Sequence, residues 1–182
     1  MENSPTSSHN SITFQRKGSP SITISRSALR RIRELSENSD NVETGGILVG
    51  HELEKNIEIV QASDAGPNAD SSSSHFLRDT AHCRDFLARC YNDTGADYLG
   101  EWHSHVVALR HLSPGDLNTL IGILIDPDYD FVTFAVLLVV VGRKKVELLV
   151  YAAEYVTNEA RREIRVSELY RGNFPDAPDL IV

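Results

Sequence analysis

Apolar positions along this chain fall into short runs whose period changes from segment to segment. Behind Ser25, a residue suited to cap a helix N-terminus, Ala28, Ile32 and Leu35 share one helical face while Arg and Glu fill the other, so a helix is predicted to about Asn38. Gly45–Gly50 and Ile57–Val60 read as two strands joined by a charged turn. Ala65 to Ser74 is rich in Gly, Pro, Asn, Asp and Ser and reads as a loop, the segment expected to be most mobile. Phe76 to about Asn92 reads as a second amphipathic helix, Asp97–His105 as a strand, and Ser113-Pro114-Gly115-Asp116 as the start of a third helix ending near Ile125. Phe131–Val141 is an almost unbroken apolar run, as expected of a strand covered on both faces, and Val146–Ala152 returns beside it. Met1 to about Pro20 reads as a flexible lead-in with an edge strand near Ser11–Gln15, and the tail from Thr157 as a charged piece of helical character followed by Pro-rich coil. Strands alternate with helices, which predicts an α/β domain: one mixed β-sheet flanked by helices, spanning residues 21–170 between the lead-in 1–20 and a tail at 171–182.

Composition narrows the function classes. The 182 residues suffice for one sizeable core. A net charge of −8 lacks the basic footprint that phosphate backbones require, so no nucleic-acid partner is expected. No apolar run approaches the roughly 20 residues that cross a bilayer, so no membrane is expected either. The first twenty residues lack the apolar centre of a secretory signal. Cys83 and Cys90 lie on one helix face but too far apart along it to bridge; they read as reduced, buried thiols, and the expected compartment is cytoplasmic.

The chemistry concentrates in two short segments. His103 and His105 are two apart on a predicted strand, so both imidazoles face the same side. Two neutral nitrogen donors suit zinc, and a catalytic zinc requires a third protein ligand plus an open position. Asp116, in the first turn of the third helix, is the candidate third ligand, although Ser-x-x-Asp is equally the pattern of a simple helix cap. Glu43 and Glu101 are both candidates for a general base; Glu101 shares the strand face of the two histidines and could also orient one of them. His51-Glu52-Leu53-Glu54-Lys55 lacks the second histidine of an HExxH helix, and no deaminase, G-x-S-x-G or phosphate-loop motif is present. His9, His75 and His82 carry no ligand pattern and read as solvated or packing residues.

His103-Ser104-His105, seven residues, then Ser113-Pro114-Gly115-Asp116 resembles the H-S/T-H-x7-S-x-x-D motif of the JAMM (MPN+) metallopeptidases, a JAB-domain family. Glu43-Thr44-Gly45-Gly46-Ile47-Leu48-Val49-Gly50 is similar to that family's glutamate-bearing strand, and the resemblance spans about Ile22 to Tyr151. It implies an MPN/JAB fold with one Zn2+ per chain on His103, His105 and Asp116. It further implies Glu43 as the base that moves a proton from the metal's water to the leaving amine, and Ser113 as a holder of the oxyanion; Glu101 then falls to a supporting role. Where many members have proline after the second histidine and before the serine, this chain has Val106 and Leu112, so the intervening loop, which contains His111, is expected to follow its own path. Gly100-Glu101-Trp102-His103-Ser104-His105 and Phe76-Leu77-Arg78-Asp79 resemble bacterial stand-alone JAB proteins of CBASS and ubiquitin-like antiphage operons. The resemblance implies an isopeptidase that cleaves after the C-terminal glycine of a ubiquitin-like protein or a cGAS-like nucleotidyltransferase. The loops Ala65–Ser74 and Val106–Leu112 would flank the tail. A sulfur-carrier peptidase, a RadC-like repair role and a metal-free MPN scaffold are the alternatives, the second disfavoured by the acidic charge.

Overall fold

In order along the chain the elements are β1 (Thr6–Ser7), β2 (Ser11–Phe14), β3 (Ile22–Ser25), α1 (Arg26–Glu37), β4 (Gly45–Leu53), β5 (Asn56–Ala62), β6 (Asp70–Ser71), β7 (Phe76–Leu77), α2 (Thr80–Thr94), β8 (Asp97–His105), α3 (Pro114–Ile125), β9 (Thr133–Val141), β10 (Val146–Asn158) and β11 (Arg161–Asn173). They come from a computed structural model that describes residues 5–8, 10–106, 109–158 and 161–175. Nine strands form one mixed sheet in the order β1-β2-β3-β5-β4-β8-β9-β10-β11, and β6 pairs with β7 alone. Among the described residues only β3–β5 and β8–β9 are parallel, and a helix lies within each connection: α1 between β3 and β5, α3 between β8 and β9. The chain is thus a single domain of α/β class with a mixed sheet and three helices, as its pattern predicts.

The sheet is covered on both faces, and the alternation of β9 shows it. Ala135, Leu137 and Val139 join a core with Ala28, Leu29 and Ile32 of α1. Phe134, Val136, Leu138 and Val140 join a second core with Cys83 and Cys90 of α2 and Leu120 and Leu124 of α3. The sheet also curls: Phe14 of β2 and Tyr170 of β11, near opposite ends of the strand order, meet in a tilted contact with ring centroids 5.1 Å apart. That curl closes the first core without a further helix.

Two β-bulges break the alternation in ways that matter below. Leu48 pairs with Gly100 but Val49 with Tyr98, leaving Leu99 extra in β8; Val150 pairs with Tyr170 but Tyr151 with Glu168, leaving Leu169 extra in β11. Residues three apart across each bulge therefore meet on one face. Tyr98 Oη donates to Glu101 Oε1 at 2.8 Å, and Arg171 forks onto Glu168 with Nε–Oε1 3.0 Å and Nη2–Oε2 2.6 Å.

Several expectations are corrected. The charged piece after Thr157 is not helical: it is β11, paired along β10 to Asn173, past the expected domain end at residue 170. Ser11–Phe14 lies inside the sheet rather than in a flexible lead-in, with Phe14 fully buried and β1 outside it. Ile22–Ser25 is a strand that the pattern left unassigned. The second helix begins at Thr80, not Phe76, because Asp79 caps it and Phe76–Leu77 pairs with Asp70–Ser71. The Ala65–Ser74 loop is tied down rather than open: Asn68 donates from both its backbone N–H and its Nδ2 to Asp79 Oδ2, and the Asp79 N–H donates to Ala65 O. Among the described residues, no helix is long and apolar enough to cross a membrane. Cys83 and Cys90 are both free and buried, and burial pushes both thiols up.

Candidate metal centre and cleft

The carboxyl end of β8 and the N-terminus of α3 meet in a cleft of about 520 Å³, whose walls include Glu43, Phe76, Arg78 and Glu101. Strand alternation turns His103 and His105 the same way, with their Nε2 atoms 3.2 Å apart. His105 Nδ1 lies 3.0 Å from Leu109 O, so a proton on Nδ1 satisfies that carbonyl and leaves Nε2 with its lone pair toward the cleft.

Asp116 reaches the same point from the helix. Ser113 caps α3: its Oγ accepts from the Asp116 N–H at 3.1 Å, and Asp116 Oδ2 accepts from the Ser113 N–H at 2.6 Å. The capping box fixes the carboxylate, and its remaining lone pairs face the histidines, with Oδ1 3.5 Å from His103 Nε2 and Oδ2 3.5 Å from His105 Nε2. Capping and clustering are thus one arrangement. Burial works against an ionised Asp116, but the imidazoles and the Ser113 N–H outweigh it and hold the carboxyl well below the usual range. Burial likewise opposes a charged His105, yet Asp116 and the Leu109 carbonyl raise it.

These donors fit zinc. One candidate ligand atom from each of the three residues lies within 4.8 Å of the others. Tetrahedral zinc with bonds of 2.0–2.1 Å sets its ligand atoms about 3.3 Å apart, against the 3.2 and 3.5 Å found here.

Glu43 faces the cleft from the loop that enters β4. It is buried, which pushes its carboxyl above the usual range against the pull of His105 and His103. Its N–H donates to Ser72 O at 2.7 Å, so the Ala65–Ser74 loop holds it from one side. Ser104, the residue at the Ser/Thr position of the motif between the two histidines, holds it from the other. The Ser104 N–H donates to Thr44 O at 2.7 Å, and Ser104 Oγ accepts from the Thr44 N–H at 3.0 Å. A serine with no exposed surface in a strand requires such partners; the sequence marks the position only as Ser or Thr in the motif, without the partner it serves.

Glu101 stands on the histidine face, as expected, but it is already engaged. Arg78 pairs with it and Tyr98 donates to it, which leaves it a structural anchor for the cleft wall. Arg78 and Phe76 stood out in the sequence only as part of the Phe76-Leu77-Arg78-Asp79 resemblance, with no role attached to either. Phe76 lies over Gly45, where a Cβ would strike both its ring and the Trp102 carbonyl. His75 lines the cleft near Asp70, His82 Nε2 sits 2.6 Å from Asp64 Oδ1, and His111 is exposed. His9 lies outside the described residues.

A mixed sheet with helices on both faces, and two histidines and an aspartate gathered beyond a parallel strand end, define a JAB-type domain. The family described as prokaryotic homologs of the JAB domain matches residues 25–154, and the chain belongs to it. No curated protein matches the chain. Among solved structures, the solution structure of protein DSY2949 from Desulfitobacterium hafniense superposes with a TM-score of 0.58 at 17% identity, covering 81% of this chain and 88% of that one. That likeness is one of fold.

Proposed function

We propose that this chain is a zinc-dependent isopeptidase or peptidase that cleaves after the C-terminal glycine of a ubiquitin-like protein or a cGAS-like nucleotidyltransferase, deconjugating or processing it in bacterial antiphage defence. The family includes both catalytic peptidases and members without activity. The observation that carries the enzymatic reading is the convergence of His103, His105 and Asp116 beside a buried carboxyl, Glu43, in one cleft. Unlike Asp79, whose equally buried carboxyl caps α2, Glu43 lines the cleft that holds the three candidate ligands.

His103, His105 and Asp116 would hold the zinc. When bound there, it supplies Lewis acidity and a water that ionises near neutral pH. Glu43 takes the proton onto a carboxylate oxygen and returns it to the departing amine, a role worth roughly 10²–10⁴-fold in rate. Its raised pKa suits it to hold that proton between the two steps. Ser113 Oγ accepts the cap hydrogen bond from Asp116, so its own O–H is free to donate to the oxygen that gains charge. Phe76 over Gly45 narrows the wall beside His103, which favours glycine at the scissile position. The substrate tail would lie as an extended segment between the Ala65–Ser74 loop and the loop that follows β8.

The test is zinc-loaded chain incubated with glycine-ended ubiquitin-like and nucleotidyltransferase fusions, beside Glu43→Ala. The expected result is wild-type cleavage after the terminal glycine, abolished by chelation, and a Glu43→Ala protein that binds zinc but does not cleave. A wild type that binds no zinc would return the chain to the scaffold class.

A further inference from the structure

The loop after β8 supplies the carbonyl that orients His105, and none of its residues 106–112 is a proline that would stiffen it. Something else must hold Leu109. The next residue, Arg110, is gripped twice from the far end of the sheet. Its Nε lies 2.8 Å from Glu147 Oε2 on β10, and its carbonyl accepts from Arg171 Nη1 of β11 at 2.7 Å. Both grips are themselves braced. Glu147, whose side chain is 14% exposed, takes Lys145 Nζ on its other oxygen at 2.7 Å. Arg171 is aimed by its fork onto Glu168, which the bulge at Leu169 brings to the same face.

We infer that Glu147 and Arg171 are positioning residues for the metal centre: they lock Arg110, and so the Leu109 carbonyl, which fixes the His105 ring with its proton on Nδ1 and its Nε2 toward the ligand cluster. The inference rests on the zinc reading for its consequence but not for its geometry. Each link is a charge-assisted or backbone hydrogen bond of ordinary length, and together they run from the last two strands to a ligand side chain. Ion pairs this exposed add little to stability, with a median of about 0–1 kcal/mol. Their effect is expected at the histidine instead. Groups that orient a metal-binding histidine shift metal affinity by about 10–100-fold, and a residue acting one link further out is expected at the lower end of that range.

The test uses the full chain, as wild type, Glu147→Gln and Arg171→Leu. Two readouts are taken: zinc affinity by competition with a chelator, and the imidazole nitrogen shifts of His105 by NMR in the zinc-free protein at alkaline pH, where the neutral ring carries one proton. The second reads the tautomer whether or not zinc binds, so failure of the zinc reading and failure of the latch are told apart. Glu147→Gln and Arg171→Leu are expected to keep the fold by circular dichroism, to weaken zinc about tenfold, and to move His105 away from a single Nδ1–H form. His105 shifts identical to wild type in both single variants would overturn the latch.

Discussion

Glu43 and Ser104 divide one task between them. Glu43 is held in a buried position that raises its pKa, so its charged form is carried at the expense of the fold. A carboxyl whose folded pKa is raised favours folding below its ordinary pKa, and that contribution is lost as pH rises through the folded value. Glu43→Gln in zinc-free protein should therefore unfold at higher urea than wild type near pH 7, with the gap closing in acid. No difference at pH 7 would remove burial as the cause. Ser104→Ala leaves the Thr44 N–H without its side-chain acceptor, at a cost of about 1–3 kcal/mol for a buried donor. It should also reduce cleavage by shifting Glu43, whereas Ser104→Thr, which keeps the hydroxyl, should retain more of both. The motif marks the histidines, the aspartate and the Ser/Thr position between the histidines, but the task of Ser104 is not legible there because it is done across the strand pair, against a residue sixty positions away.

Among the elements, those whose burial is one-sided or complete were legible. α1 shows its stripe, and β9 its continuous apolar run, because packing alone decides those residues. Elements whose pattern is set by a pairing partner were not. In β11, Ile164 and Val166 begin an alternation that the extra Leu169 then shifts, and the many charges that suit an edge strand resemble a helix surface. The start of α2 was lost because Phe76–Leu77 packs as a strand before Asp79 ends it. Asp79 also makes the clearest prediction at this scale. Hydrogen bonds from the His82 N–H, then from Asn68 and the Ala81 N–H, depress its pKa against burial. A depressed carboxylate stabilises the fold above its unfolded value, near 3.9, and that share is lost as pH falls through the folded value. The stability gap between wild type and Asp79→Asn should be constant near neutral pH and should shrink below about pH 4, read as urea midpoints across a pH series.

Across the whole molecule, the candidate ligands join parts of the chain that have little else in common. His103 and His105 lie on a central strand, while Asp116 sits on α3, a helix anchored to the rest chiefly by Leu120, Leu124 and the Tyr155 hydroxyl on the Leu124 carbonyl. A ligand that binds only the folded state stabilises it by mass action, about 4 kcal/mol at a thousandfold excess over its Kd. Zinc should therefore raise the Tm of wild type and leave that of Asp116→Ala nearly unmoved. Equal shifts in both would place the metal elsewhere. The single extra residue at Leu99 bears on the same centre. A sheet counts in twos, and one supernumerary residue changes the parity of everything on one side of it. Deleting Leu99 would restore even counting, and with the Ser104 clamp fixing the histidine side, Tyr98 would swing into the opposite core and desert Glu101. The chain near its candidate centre should thus tolerate exchange of side chains far better than the loss of one residue, since a deletion there is an error of reading frame written in three dimensions.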